Sequence, residues 1–186
     1  MIGVLYYLVA LLDKYSYSSI EKIQKNISLK YNLYDELPML HITLEVINNP
    51  DDLKNLCNVI NNVLLNYGKF SIKINGAICF DPPFKSVNLK VEDSGTIHDL
   101  SRKLNFKLKK NGFRVRENIE NWDLHISLAN INFSKRDWSN EEFAEACRAI
   151  SEAKFHSKAE IIQIQLWQPI NDKTKMVIRD FNLTGN

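Results

Sequence analysis

Residues 40–44 read Leu40-His41-Ile42-Thr43-Leu44, and residues 124–128 read Leu124-His125-Ile126-Ser127-Leu128. The two pentads share the pattern Leu-His-Ile-[Thr/Ser]-Leu and stand 84 residues apart (125 − 41). Each lies in a short apolar run of strand character, over 39–47 after Pro38 in the first case and over 122–131 in the second. Side chains alternate with period two along a strand. His41 and Thr43 therefore share one face, and Leu40, Ile42 and Leu44 take the other. The same holds for His125 and Ser127. Each strand is predicted to bury an apolar face and to offer one imidazole and one hydroxyl on its other face.

Working outward, the segments around these runs alternate between short apolar stretches and amphipathic helices. An opening strand is expected over residues 1–12, MIGVLYYLVALL. This run resembles the apolar part of a signal peptide, but no basic residue precedes it and no small-x-small cleavage site follows. It is also too short to span a bilayer. Ser18-x-x-Glu21 makes a capping box for a helix from about Ser19 to Tyr31. Asn49-Pro50-Asp51-Asp52 is a start signal for a second helix, with stripe Leu53, Leu56, Cys57, Ile60, Val63 and Leu64. Phe70–Phe80 and Ser86–Val91 read as two hairpin strands around a Pro-rich loop. Thr96-x-x-Asp99 caps a third helix striped by Ile97, Leu100, Leu104 and Leu108 and stopped at Asn111-Gly112. Ser139-x-x-Glu142 caps a fourth with Phe143, Ala146, Cys147 and Ile150. Strands over 160–167 and 175–183 close the chain. The order βαβαββαβαββ differs from the regular alternation of a doubly wound sheet. The helix-then-His-strand arrangement occurs twice, which suggests two similar halves.

A surface carrying two imidazoles and two hydroxyls suits phosphodiester chemistry. One neutral imidazole takes a proton from water or a ribose hydroxyl, and a second, protonated one gives a proton to the leaving oxygen. The hydroxyls donate to non-bridging phosphate oxygens. This scheme requires no metal and no cofactor. Two histidines on strands also occur as satisfied core residues, and that structural role is the alternative.

The paired motifs resemble the 2H phosphoesterase superfamily, the LigT-like 2′-5′ RNA ligases and cyclic phosphodiesterases, whose signature is two H-x-[ST]-x motifs at about this separation. The resemblance covers most of the chain. It implies one bilobal α+β domain over 1–186, two lobes of antiparallel sheet plus helices related by a pseudo-twofold axis around a central cleft. Carried over, His41 and His125 become the acid/base pair and Thr43 and Ser127 the phosphate-oxygen donors. The implied substrate is an RNA end or nucleotide bearing a 2′,3′-cyclic or 2′-5′ phosphodiester. Two alternatives remain: a non-catalytic RNA- or nucleotide-binding module of the same fold, or an esterase acting on a small non-RNA metabolite.

The remaining features are less specific. With 24 Lys+Arg against 22 Asp+Glu the net charge is only +2. It divides unevenly: residues 1–93 carry 9 basic and 10 acidic groups, residues 94–186 carry 15 and 12. Residues 102–116 hold seven basic residues and no acid. They are either an RNA-facing patch or the solvated face of an amphipathic helix. Arg114 and Arg116, just before the second motif, and Lys85 in the Pro-rich loop are the candidate substrate-binding cations. Tyr6 and Tyr7 alternate on the first strand, and one of them is placed to stack a base or to pack in the core. His98 and His156, outside any hydroxyl motif, are expected at the surface. The three cysteines Cys57, Cys79 and Cys147 are expected as reduced core residues, which favours a reducing, cytoplasmic location. No Gly-rich phosphate loop, Ser nucleophile elbow or HExxH motif is present. A monomer without membrane association is expected.

Overall fold

The computed structural model describes residues 4–92 and 95–185. Seven strands and four helices follow in the expected order: β1 (Leu5–Leu12), α1 (Lys14–Tyr31), β2 (Ile42–Asn48), α2 (Leu53–Leu64), β3 (Phe70–Phe80), β4 (Ser86–Val91), α3 (Thr96–Lys110), β5 (His125–Ala129), α4 (Asn140–Glu152), β6 (His156–Trp167) and β7 (Val177–Asn182). Residues 1–3 of the expected first strand lie outside the described residues. The structure is α+β, as expected.

All strand pairings are antiparallel, in the order β1-β2-β5-β4-β3-β6-β7, with β1 also pairing β6. The first half of β6 pairs with β3, and its second half lies between β1 and β7. The strands thus fall into two four-stranded halves that share β6, one with β2-β1-β6-β7 and one with β5-β4-β3-β6. Each half carries one His motif on its outermost strand. The two motif strands meet through Ile42 and Ile126.

The helices pack where their apolar stripes require. α1 lies against β5 and β6, α4 against β3 and β4, and α3 against β2, while α2 packs on α3 and β7. One core cluster runs through all of them, including Ile20, Ile42, Leu44, Leu56, Ile60, Leu100, Leu104, Ile126, Leu128 and Phe143. A second, smaller cluster of Val9, Trp167 and Met176, with Tyr7, Leu11 and Met39 against it, lies apart from this core.

The element types agree with the periodicity, but several boundaries do not. α1 starts a full turn earlier than the Ser18/Glu21 pattern predicts: Asp13 is its N-cap, accepting from the N–H of Tyr15 and of Ser16, each at 3.0 Å. The same carboxylate accepts from the N–H of Glu160 at 3.0 Å, a tertiary bond that Ser18 cannot make. α2 starts at Leu53 with Asp52 as its cap, not at Pro50. Asn49 is instead taken up in the turn that leaves β2, at φ 39°. α3 is preceded by Gly95, so Thr96 lies inside the helix and gives no cap. The Ser139–Glu142 capping box is present. His98 is half-buried rather than at the surface, while His156 is exposed.

The cysteine expectation is corrected for two of the three residues. Cys79 on β3 and Cys147 on α4 form a disulfide, with Cα atoms 6.2 Å apart, and Cys57 alone is free. Residues 68 positions apart in sequence meet because α4 packs on β3. The argument for a reducing compartment rested on three free thiols, so that argument no longer stands.

Candidate active site

The motif strands show the alternation expected of them. Leu40, Ile42, Leu44, Leu124, Ile126 and Leu128 are buried, whereas His41, Thr43, His125 and Ser127 are half-buried. The pairing of Ile42 with Ile126 is antiparallel, so His41 lies on the Ser127 side and Thr43 on the His125 side. The four predicted catalytic side chains are thereby brought onto one face where the two strands meet.

The two imidazoles are held in the same way. Nδ1 of His41 is 2.8 Å from the carbonyl oxygen of Met39, and Nδ1 of His125 is 2.7 Å from that of Asp123. A carbonyl only accepts, so each Nδ1 carries the hydrogen and each neutral ring keeps its Nε2 lone pair for the site. Rings pack beside them: Trp167 at 4.7 Å from His41, and Phe80 at 4.9 Å and Trp122 at 6.0 Å from His125, centroid to centroid. Burial lowers the pKa of both histidines, outweighing the carbonyl bonds that favour the charged ring. A charge on His125 lowers His41 further, and the Arg116 guanidinium lowers His125 further. Both rings are therefore disposed to be neutral at pH 7.

The two hydroxyls are not equivalent. Ser127 Oγ donates to Oδ1 of Asn88 at 2.8 Å, directly across the β4–β5 pairing. Asn88 is fully buried. Its Oδ1 also accepts from Ser86 Oγ at 2.7 Å, and its Nδ2 donates to the Ile78 carbonyl at 2.9 Å. Thr43, paired with Val9, has no such clamp among the described residues. Asn88 is a residue that motif reasoning missed. The signal available for it was a polar residue inside the apolar run of β4.

The three candidate substrate cations separate. Lys85 Nζ donates to the Trp138 carbonyl at 2.7 Å and to Asp137 at 2.9 Å, so its charge ties the 81–85 loop to the segment before α4. Arg114 is exposed, and its carbonyl accepts from Asn48 N–H at 2.8 Å. Arg116 is enclosed: its guanidinium carbon lies 3.3 Å from the centre of the Trp122 ring, and its Nε is 3.4 Å from Oε1 of the fully buried Glu45. Of the three, Arg116 is the one whose charge reaches His125. Tyr6 packs on the main core, and Tyr7 packs with Val9 and Trp167.

The basic face of α3 lies elsewhere. Arg102 pairs with Glu120 at 2.8 Å and Lys109 with Glu117 at 3.3 Å. Lys103 and Lys107 line a groove of about 390 Å³ between α2 and α3, which contains none of the predicted site residues. Among the described residues, no group of three or more His, Cys, Asp or Glu side chains is placed to share a metal ion. No helix is long and apolar enough to cross a membrane, again among the described residues.

A family model for the AKAP7 2′5′ RNA ligase-like domain matches residues 10–176, a span that contains both His motifs and Arg116. The chain belongs to this family. It is thereby a 2H phosphoesterase superfamily member, as the paired motifs imply. Solved structures share the fold. TT0787 of Thermus thermophilus superposes with a TM-score of 0.70 at 14% identity, covering 98% of this chain and 99% of that one. LigT of E. coli complexed with 3′-AMP gives 0.63 at 12%, covering 98% and 99%. The MHV ns2 PDE domain gives 0.60 at 12%, covering 88% and 99%. A search of curated proteins finds no match.

Proposed function

We propose that this 2H phosphoesterase is a metal-independent phosphodiesterase that opens a 2′,3′-cyclic phosphodiester, or cleaves a 2′-5′ one, at an RNA end or on a nucleotide. The observation that carries this reading is the matched pair of imidazoles. Both are locked with Nδ1–H on a carbonyl, and both keep Nε2 for the face that also bears Thr43 and Ser127. One Nε2 takes a proton from the attacking water as its oxygen bonds to phosphorus. The other imidazole, which the negative charge of the bound phosphodiester favours in its protonated form, gives its proton to the ribose oxygen as the P–O bond breaks. A cyclic phosphate thus gains one water and becomes a monoester. The two rings exchange protonation states and are reset through solvent. Thr43 donates to a non-bridging oxygen. Ser127 does so once its hydrogen turns from Asn88, exchanging a neutral hydrogen bond for a charge-assisted one, which is roughly twice as strong. A nucleotide substrate is supported by the solved complexes of LigT with 3′-AMP, ATP and NADP+. We infer that the protein acts as a monomer. The cytoplasmic location lost its premise with the Cys79–Cys147 disulfide and forms no part of this reading.

The test is turnover of nucleoside 2′,3′-cyclic phosphates and 2′-5′-linked dinucleotides in EDTA. His41→Ala and His125→Ala are each expected to lose about 10²–10⁴-fold in rate, the usual worth of one positioned proton carrier. Absence of turnover across both substrate classes, or full activity in either variant, overturns the proposal.

A further inference from the structure

We infer that Arg116 is a positioning residue that makes the two catalytic histidines electrostatically unequal, being a fixed cation held beside His125 and not beside His41. This rests on the two-histidine reading above.

The geometry has three parts. First, the guanidinium is enclosed. The Arg116 side chain is 13% exposed, and none of its N–H groups has a hydrogen-bond partner among the described residues. An enclosed group acts on the site through its field rather than by touching substrate. Second, it is anchored. Glu45, fully buried, lies 3.4 Å from Nε, and its own oxygens are taken by other donors: the backbone N–H of Val46 at 2.9 Å, the backbone N–H of Arg116 at 3.2 Å and Asn105 Nδ2 at 2.6 Å. Glu45 is thereby turned toward α3. Third, the guanidinium is stacked on Trp122 at 3.3 Å, and the same indole is 6.0 Å from the His125 ring. Cation and imidazole pack on one half-buried ring, where charges interact more strongly than in open solvent.

Of the other charges around His125, the Asp123 carboxylate favours the charged ring, but less strongly than Arg116 disfavours it. Asp123, whose carbonyl holds Nδ1, has its carboxylate 3.7 Å from Nζ of Lys90, the β4 residue paired with His125. β3 contributes Phe80, which is uncharged, and β2 contributes His41. α1 packs on β5 among the buried Ile126 and Leu128 of its apolar face. His41 is flanked instead by Trp167, whose Nε1 donates to the neutral Gln165 at 2.6 Å. A second positive charge is therefore opposed at His125 by Arg116, and no fixed cation among the described residues does the same at His41. The direction agrees with the lowering of His125 by the Arg116 charge.

The experiment is NMR titration of the histidine ring signals in the protein without substrate, for wild type, Arg116→Lys, Arg116→Met and the double variant Arg116→Met/Glu45→Gln. The double variant leaves no unpaired buried carboxylate and keeps the test valid if Arg116→Met alone does not fold. Removing the cation is expected to raise the His125 midpoint by about half a pH unit or more, the scale of a nearby like charge. His41 should move by less than half as much, and Arg116→Lys should stay near wild type. In kinetics, the limb of the pH–rate profile that belongs to His125 moves to higher pH, with KM changed by less than about threefold. An unmoved His125 midpoint in the double variant overturns the inference, as does an equal shift of both histidines. So does a large rise in KM with no pH shift, which would make Arg116 a substrate contact. The titration needs no turnover, so failure of the phosphodiesterase reading would show separately as an inactive protein.

Discussion

Replacing Asn88 by Leu should be costly despite the near match in size, because Asn88 is the hub of a buried polar cluster. Its amide serves Ser127 Oγ, Ser86 Oγ and the Ile78 carbonyl. Ser127 is half-buried and can turn to water or substrate, so its loss is mild. Ser86 is 6% exposed, and its hydroxyl loses its acceptor, while the Ile78 carbonyl loses the Nδ2 donor. One stranded buried hydroxyl and one part-buried carbonyl, at about 1–3 kcal/mol each, give about 4 kcal/mol. The gain from burying a Leu side chain in place of an amide returns about 1 kcal/mol of that. The expected net loss is therefore about 3 kcal/mol, a large part of a typical domain's stability. The assay is urea unfolding of wild type, Asn88→Leu, Ser127→Ala and the double variant at pH 7. The cycle should return a coupling of about 1 kcal/mol between positions 88 and 127, the worth of one neutral hydrogen bond. A loss below about 1 kcal/mol for Asn88→Leu refutes the hub. A coupling indistinguishable from zero refutes the Ser127 clamp.

Two further predictions concern the frame. Burial opposes the charge on Asp13, but bonds from Ser16, Glu160 and Tyr15 outweigh it and bring the pKa from 3.8 to about 2. A lowered folded pKa adds stability that is present above about pH 4 and lost as pH falls through 2. Asp13→Ala should therefore cost about 1–2 kcal/mol at pH 7, with the gap to wild type closing toward pH 2 in urea titrations. An equal gap at both pH values contradicts the assignment. Thiol counting on the denatured, unreduced protein should find one reactive cysteine, Cys57, rising to three after reduction. Three thiols before reduction would remove the Cys79–Cys147 bond from the account.

The motifs and the type of every strand and α-helix were legible because both rest on local periodicity. Ile97, Leu100, Leu104 and Leu108 point inward on any helix that repeats every 3.6 residues, and all four are buried. The ends of elements were less legible because caps compete. Ser18-x-x-Glu21 is a good box, yet Asp13 prevails, since its carboxylate also binds the N–H of Glu160, far along the chain. The disulfide was illegible for the same reason: nothing local tells Cys79 to meet Cys147.

The most informative departures are two breaks in strand alternation. Strict alternation from His41 and Thr43 would set Glu45 on the catalytic face. In the β1–β2 pairing, however, Val9 lies opposite Thr43 and Leu8 opposite Glu45, so Leu44 is an extra residue. Leu44 and Glu45 are consecutive, and both are buried. The carboxylate is thereby turned under the sheet to where Asn105 and Arg116 hold it. In β3, Ile72 and Ile74 face the core until Gly76, at φ 75°, a conformation that favours a residue without Cβ. The register against β4 shifts there, between Ile74 and Ala77. Beyond the shift it is Cys79 that turns to α4, and Phe80 is released to the ring of His125. Each bulge thus moves one side chain to the face where the site uses it: Glu45 to anchor the cation beside His125, and Phe80 to pack that imidazole. Periodicity finds the paired motif residues, because they lie on regular strands. It misses their supports, because those are placed where regularity is broken.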